Sequence, residues 1–222
     1  MLGEPEDAGR RWIRQAHQRR AILEGLGDAR PDDLVIVSDV DEIPAARRVA
    51  RANADPRQNA VHFFNQPLHR FYLDVRDSGG RRWIGSRAVR ARHMIDPTRL
   101  RKLKPLNYPK APHAYEALYW GYRSLAEFRA LTTRVLHKNA GWHFSSLGDV
   151  DYLMAKDAAI SFDEQNQVSG APRAYWESAR AGLLMPLGRA ERLDVAHDLP
   201  RPVRRNPERF AHLLSPRISE AG

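Results

Sequence analysis

The feature that most constrains the fold is a short apolar run that ends in acidic residues. Leu34–Val37 is a continuous apolar segment, rich in β-branched side chains and bounded by polar turn residues. Such a run is typical of a strand buried in a sheet. Asp39 and Asp41 follow just after Ser38, so the strand delivers two carboxylates with one residue between them, and Glu42 is a third acid beside them. Because ligands bind at the strand ends of α/β sheets, this segment predicts an α/β domain and a candidate site within it.

The rest of the chain alternates between helical and strand patterns. We expect strands at Val61–Phe64, Phe71–Val75, Arg82–Ile84 and Trp142–Ser145. Helices are predicted over Arg10–Leu26, from the capping box at Ser124–Glu127 through Leu136, and over Asp149–Lys156. Residues 96–120 are expected to form an extended surface excursion. We therefore predict a loose start at 1–9 and a single domain at 10–214, with a Pro- and Arg-rich tail at 171–222 that wraps it.

Composition excludes several classes of protein. The chain has 222 residues and no cysteine, so it has neither disulfides nor a Cys-ligated metal. No apolar run approaches the ~20 residues that span a bilayer, which favours a cytoplasmic protein. The net charge of +9 is compatible with nucleic acid, anionic lipid or phosphorylated ligands. The arginines are spread along the chain and no nucleic-acid-binding motif is present, so this pattern argues against nucleic-acid binding.

Asp39 and Asp41 are candidate metal ligands. Two carboxylates this close repel each other unless a positive group lies between them. Mg²⁺ or Mn²⁺ prefers oxygen ligands and commonly bridges to substrate phosphates. An acidic turn without a ligand is the structural alternative. An aspartyl-nucleophile phosphatase also begins with Asp-x-Asp after a strand, but the following Glu42-Ile-Pro argues against that class.

Two separate motifs resemble glycosyltransferase family 17. They are Asp39-Val-Asp-Glu-Ile-Pro44 and Ala140-Gly-Trp-His-Phe-Ser145. That family includes the β-1,4-mannosyl-glycoprotein β-1,4-N-acetylglucosaminyltransferases of N-glycan processing and many bacterial relatives. The resemblance extends from about Arg10 to Leu214, with supporting matches at Gln18–Ile22, Asp198–Pro200 and Asn206–Phe210.

The resemblance implies a GT-A-like fold, a Rossmann-like mixed sheet flanked by helices. It also implies a UDP-sugar donor (UDP-GlcNAc by family precedent), Mn²⁺ or Mg²⁺, and transfer to a saccharide hydroxyl with inversion. Asp41 would ligate the metal, and Asp39 would either ligate it or contact the ribose. His143 would complete the metal shell or contact a phosphate, with a hydrogen-bonded structural histidine as the alternative.

Five other residues each have a candidate functional role and a structural alternative to it. Inverting transfer requires a general base. Asp151, which matches an acidic family position, is preferred over Asp149, although acids in a first helical turn also complement the helix dipole. Lys156 is a candidate phosphate contact or a surface lysine, and Trp142 would stack on a sugar or fill the core. Arg19 lies on an apolar helix face, so we expect it to bind a diphosphate or a buried carboxylate, or to snorkel.

The sequence departs from the family at its beginning. Only 38 residues precede Asp39, so the family domain is expected to be N-terminally shortened. A catalytically inactive or truncated member that only binds a nucleotide or saccharide is therefore the alternative function. The acceptor and the oligomeric state do not follow from the sequence, and peripheral contact with a membrane is compatible with it.

Overall fold

The computed structural model describes residues 13, 16–79, 83–94, 96–103, 105, 133–159, 171–186 and 188–216. The chain divides into two compact units, each built from two stretches of sequence. The first unit takes Met1–Gln66 and Ile84–Gly141, and the second takes Pro67–Trp83 and Trp142–Gly222. Strands and helices occur in both, which confirms the α/β class. Within the described residues, no helix is both long enough and apolar enough to span a bilayer.

The strands are short. In chain order they are β1 (Leu34–Val37), β2 (Glu42–Pro44), β3 (Ala60–Asn65), β4 (Leu68–Phe71), β5 (Val75–Asp77), β6 (Ile84–Arg90), β7 (Thr133–His137), β8 (Gly141–Leu147) and β9 (Ala190–Arg192). The α-helical segments are α1 (16–21), α2 (Ala46–Asn53), α3 (Pro97–Lys102), α4 (Val150–Ala159), α5 (Arg173–Ala181) and α6 (Arg201–Arg205). In the described part of the chain, 3-10 helices span Glu24–Leu26, Ala91–His93 and Pro207–Leu213.

The sheet of the first unit has the strand order β1-β6-β3-β7. β6 runs antiparallel to both β1 and β3, whereas β7 runs parallel to β3. Val37 and Phe63 both pair with Arg87, and Phe63 in turn pairs with Leu136. β1, β3 and β7 therefore share one direction, and their carboxyl ends lie at the same end of the sheet.

Both faces of this sheet are covered by helices. On one face the side chains of α3 and its C-terminal flank pack against the strands, in a cluster of Val35, Val37, Val61, Phe63, Ile84, Val89, Met94, Leu100 and Leu103. The opposite face packs against α2, in a cluster of Ala52, Phe64, Ala88 and Ala140 joined by Leu34, Ile36 and Val49. Complete burial of an aromatic side chain such as Phe63 or Phe64 contributes roughly 2–3 kcal/mol each.

The second unit contains its own mixed sheet. β8 pairs with β4 in parallel, and β5 runs antiparallel to both β4 and β9. One cluster joins β4 and β5 to the helices α4 and α5 through Phe71, Val75, Leu153 and Trp176. Another contains Leu73, Phe144, Leu199 and Val203. Residues 171–216 thus share their core with the strands of this unit.

Several predicted elements are confirmed. β1 occupies Leu34–Val37, β3 includes Val61–Phe64, and β8 includes Trp142–Ser145. α4 covers most of the predicted helix after Asp149. The strand predicted at Arg82–Ile84 is met only at its last residue, because β6 begins at Ile84 and Trp83 precedes it. β1 is an edge strand with alternating burial rather than a fully buried one, because Leu34 and Ile36 are only half-buried. Trp12 and Arg82, which belong to predicted elements, lie outside the described residues.

The prediction of a helix through Leu136 is wrong at its C-terminal end. Val135 and Leu136 lie in β7, which pairs in parallel with β3. Pairing with a buried central strand supplies backbone hydrogen bonds and packing that outweigh helical periodicity. The capping box at Ser124–Glu127 lies outside the described residues.

The predicted strand at Phe71–Val75 is interrupted by a corner. Phe71 ends β4 with a positive φ of 67°, and Val75 begins β5. Between them, the Leu73 amide donates to the Leu213 carbonyl at 2.8 Å, and the Ser215 amide donates to the Asp74 carboxylate at 2.7 Å. The backbone therefore bonds to the C-terminal segment at this point instead of continuing a strand.

The expectation of an extended excursion from residue 96 is also wrong at its start. Pro97–Lys102 forms α3, and Leu100 is completely buried. The Asp96 carboxylate accepts hydrogen bonds from the amides of Thr98 and Arg99 at 2.8 and 3.2 Å. An Asp cap followed by Pro at the first helical position is a helix-start signal that the compositional argument overlooked. Residues 106–120 are outside the described part.

Candidate functional site

The acidic residues after β1 lie in a tight turn. The Glu42 amide donates to the Asp39 carbonyl at 3.0 Å, and the Ser38 hydroxyl donates to the Glu42 carbonyl at 2.7 Å. Val40 is fully exposed at the tip, whereas Asp39 and Asp41 are half-buried on either side of it. The turn therefore holds the two predicted carboxylates at the carboxyl end of β1.

Two arginines hold the Asp39 carboxylate. Arg19 donates to both of its oxygens, at 3.0 and 3.2 Å. Arg101 donates to Oδ2 at 2.6 Å. Arg19 thus binds a carboxylate, although the Asp39 side chain is 38% exposed rather than buried as expected. The positive charge that the paired acids require is supplied at Asp39 by guanidinium groups.

Glu42 is the most deeply buried acid of the turn. Its side chain is 0% exposed and that of Arg101 is 8% exposed, and the two form hydrogen bonds of 2.8 and 2.9 Å. Glu42 also accepts the Asp39 amide at 3.1 Å. One arginine therefore links two acids of the same turn. Removing either partner of a buried ion pair of this kind strongly destabilises the folded protein.

A polar layer that includes the buried side chains of Ser86 and Gln66 supports this ion pair. Ser38 and Ser86 are joined by a hydrogen bond of 2.6 Å between their hydroxyls, and the Ser86 amide donates to the Gln66 side chain at 3.0 Å. Gly85 lies against the same layer, where an added Cβ would come within 2.4 Å of Gln66 Oε1 and 2.6 Å of Glu42 Cδ. Only glycine leaves room for these two side chains.

Asp39 and Asp41 have the donor chemistry that a hard divalent cation requires. Mg²⁺ is commonly bound by one or two carboxylates, with water and substrate phosphates completing its shell. Within the part of the chain that the structure describes, no group of three or more His, Cys, Asp or Glu side chains is placed to hold a metal ion. A metal at this turn would therefore depend on the two aspartates and on a bound phosphate, and Asp39 would have to accept it alongside or instead of its arginine contacts.

The predicted residues of the second motif belong to the second unit. His143 is buried, and its ring stacks on Trp83 with a centroid distance of 4.5 Å. Trp142 donates from Nε1 to the Asp198 carbonyl at 2.8 Å and packs against a cluster that includes Leu199. The contacts of Trp142 match its core-filling alternative. The contact of His143 is a ring stack rather than the hydrogen bond of its structural alternative, and the ligand roles of both residues stay hypotheses.

The candidate bases lie at the start of α4. The Asp149 carboxylate accepts the Tyr152 amide at 2.9 Å and so caps the helix. Asp151 is 77% exposed and pairs with Arg173, whose pKa is raised by this hydrogen bond. Lys156 donates to the Ser145 carbonyl on β8. Each of the three has a structural contact, and none of these contacts tests the roles in transfer that the resemblance implied.

The structure thus brings Arg19 and Asp39 into direct contact, with Asp41 in the same turn. It places Trp142, His143, Asp149, Asp151 and Lys156 in the other unit. Sequence analysis missed Arg101, which lies 62 positions from the Asp39 it binds. The helix-start signal at Asp96-Pro97 would have placed Arg101 on a short helix, although not against the turn.

Comparison with protein-family models, with curated proteins and with solved structures finds no match to this chain.

Proposed function

We propose that this chain is an inverting, metal-dependent glycosyltransferase with a GT-A-like fold. It would move a sugar, GlcNAc by family precedent, from a UDP-sugar to a saccharide hydroxyl in the cytoplasm. The observation that carries the proposal is the turn after β1, where Asp39 and Asp41 accompany two arginines in a polar setting. A strand-end turn rich in carboxylate and guanidinium groups suits a diphosphate and its counterion.

Each of the proposed residues would have a separate role in a single displacement reaction. The acceptor oxygen would bond to the anomeric carbon as the bond to the diphosphate oxygen breaks, and UDP would leave. Asp39 and Asp41 would hold Mn²⁺ or Mg²⁺, which when bound would stabilise the negative charge on the departing diphosphate. Arg19 would add charge at the same position. Asp151, or else Asp149, would take the proton of the acceptor hydroxyl.

A second candidate function is a family member that binds nucleotide or saccharide without catalysing transfer. The arginine contacts of Asp39 favour it, because they occupy the oxygens that a metal would use. The ion pair between Asp151 and Arg173 also favours this second function, because a general base needs a carboxylate that can accept a proton from the acceptor hydroxyl. Release of UDP from UDP-GlcNAc in the presence of saccharide acceptors separates the two functions, since only the enzyme produces UDP with turnover.

The donor site is tested by calorimetric titration with UDP in the presence and absence of Mn²⁺. We expect binding that depends on the metal, and we expect Asp41→Ala to abolish the metal-dependent part while the circular dichroism spectrum stays unchanged. Asp28→Ala, which removes an exposed acid of the same unit, should behave like the wild type. UDP affinity that is the same for Asp41→Ala and the wild type would rule out the metal assignment.

A further inference from the structure

A basic pocket lies in the first unit, against β7. It has a volume of about 670 Å³ and is lined by α2, the segment that follows α2, and the end of β7. Four cationic side chains and one carboxylate line it, namely Arg48, Arg51, Arg57, Lys138 and Asp55. A volume of this size suits a small molecule rather than a protein segment.

Most of this positive charge is not compensated by the described residues. Asp55 is engaged by Arg57, which donates to its two oxygens at 2.8 and 2.6 Å. These bonds hold the pKa of Asp55 far below its usual value. Among the described residues, no carboxylate pairs with Arg48, Arg51 or Lys138. The pocket therefore has an excess of three cations.

Arg48 carries the clearest unsatisfied group. Its Nε is buried and has no hydrogen-bond partner in the described part of the chain. A buried donor of a charged group without an acceptor is costly, and the side chain that carries it lines the pocket. A guanidinium group also presents a planar pair of donors that matches the geometry of phosphate.

One member of a buried histidine pair forms part of the wall. His137 lines the pocket, and its Nε2 lies 3.0 Å from Nδ1 of the buried His62. The His137 ring stacks on Phe64 with a centroid distance of 5.0 Å, which fixes its orientation. Burial, followed by the charges of His62, Arg48 and Arg51, lowers the pKa of His137 to about 4. The ring is therefore uncharged at neutral pH and is sensitive to the charge inside the pocket.

We propose that this pocket binds a small anion that carries one or more phosphate groups, held by Arg48, Arg51 and Lys138. The residues that line the pocket include none of the acidic turn. The site is thus a second ligand position, distinct from that of the diphosphate proposed at Asp39.

The test uses inorganic pyrophosphate and UDP as probes, each titrated by calorimetry without added metal. The double variant Arg48→Gln/Arg51→Gln should bind pyrophosphate at least about 10-fold more weakly than the wild type, because each substitution removes a charge-assisted hydrogen bond to the anion. Arg47→Gln, which removes an exposed arginine of α2 that does not line the pocket, should bind like the wild type.

A second measurement uses the unmodified protein and does not depend on any variant folding. Pyrophosphate should shift the ring resonances of His137 and raise its pKa, while the resonances of His69 in the other unit stay unchanged. UDP that produces the same shifts would identify the source of the phosphate as a nucleotide, whereas a response to pyrophosphate alone would identify a smaller phosphorylated ligand. Absence of binding at millimolar pyrophosphate, or equal affinity in the double variant and the wild type, would overturn the proposal.

Discussion

At the scale of single residues, Arg101 connects the acids of the turn to the rest of the first unit. It reaches Asp39 and Glu42 from α3 and also donates to the Gly85 carbonyl of β6. The Glu42 carboxylate is completely buried, so its charge is tolerable only with a counterion beside it. This dependence makes the pair a structural requirement for holding Asp39 and Asp41, whatever ligand they bind.

Arg101→Met should therefore destabilise the protein by about 3 kcal/mol or more, because it leaves Glu42 buried without its arginine. Adding Glu42→Gln to this variant should recover part of the loss, since the buried charge is then gone. Urea denaturation of both variants measures the effect. Arg30→Met is the matched control, because the Arg30–Asp33 pair is exposed and should contribute little to stability. An equal loss for Arg101→Met and Arg30→Met would contradict the assignment.

The residues of the site were only partly predictable from the sequence. The position of Asp39 and Asp41 followed from a local pattern, an apolar strand that ends in acids. The place of Arg19 on an apolar helix face left a diphosphate, a buried carboxylate or a snorkelling side chain open, and the structure shows the half-buried Asp39 carboxylate as its partner. Arg101 could not be assigned, because its contacts depend on how α3 packs across the sheet, and no local pattern encodes that packing.

At the scale of elements, α3 depends on its cap. The helix has six residues, too few to be stable by helix propensity alone. Asp96 satisfies two of its amides, Pro97 fixes the first helical position, and Leu100 anchors it in the core. The cap thus contributes to placing Arg101 against the acidic turn.

Asp96→Ala should cost about 1 kcal/mol of stability, the usual effect of removing an N-cap acceptor. Asp96→Asn retains an acceptor at the same position and should cost much less. Equilibrium denaturation gives the two free energies, and hydrogen exchange at the amides of Thr98 and Arg99 gives the local effect. If both variants lose the same stability, the carboxylate is acting through its charge on the helix dipole rather than as a hydrogen-bond cap.

The elements show where local sequence patterns suffice. Leu34–Val37 and Val61–Phe64 are strands by composition, and the structure has them as strands. Val135 and Leu136 have helical spacing to the residues before them, yet they lie in β7, because β3 offers a parallel partner. The corner after Phe71 likewise depends on Leu213 and Ser215, which are distant in sequence. Hydrogen bonds to residues that are distant in sequence determine the structure at both positions.

At the scale of the whole molecule, buried histidines in both units link folding to pH. His62 and His137 lie in the first unit and His69 in the second, and all three are buried. Burial lowers the pKa of each, to about 4 for His69 and for His137. The chain already carries a net charge of +9, so protonation adds further positive charge to a molecule with a strong excess of it.

The sign of the pH dependence follows from these shifts. The unfolded chain binds protons on histidine near pH 6.5, whereas folded His69 binds one only near pH 4. The unfolded state therefore holds more protons between these values, and the free energy of unfolding must fall as the pH drops through this window. For His69 alone, the free energy of unfolding falls by roughly 2 kcal/mol between pH 7.5 and pH 5.

His69→Asn isolates this contribution. The His69 Nδ1 donates to the Leu73 carbonyl at 2.7 Å, and the asparagine side chain can place an amide donor at nearly the same position without titrating. The variant should be less stable than the wild type at pH 7.5, because it loses the edge contact with Phe144. Between pH 7.5 and pH 5, the free energy of unfolding of the variant, measured by urea denaturation, should fall by about 2 kcal/mol less than that of the wild type. His17→Asn, at an exposed position, should retain the full pH dependence. An unchanged slope in His69→Asn would mean that the other buried histidines or the carboxylates control acid stability.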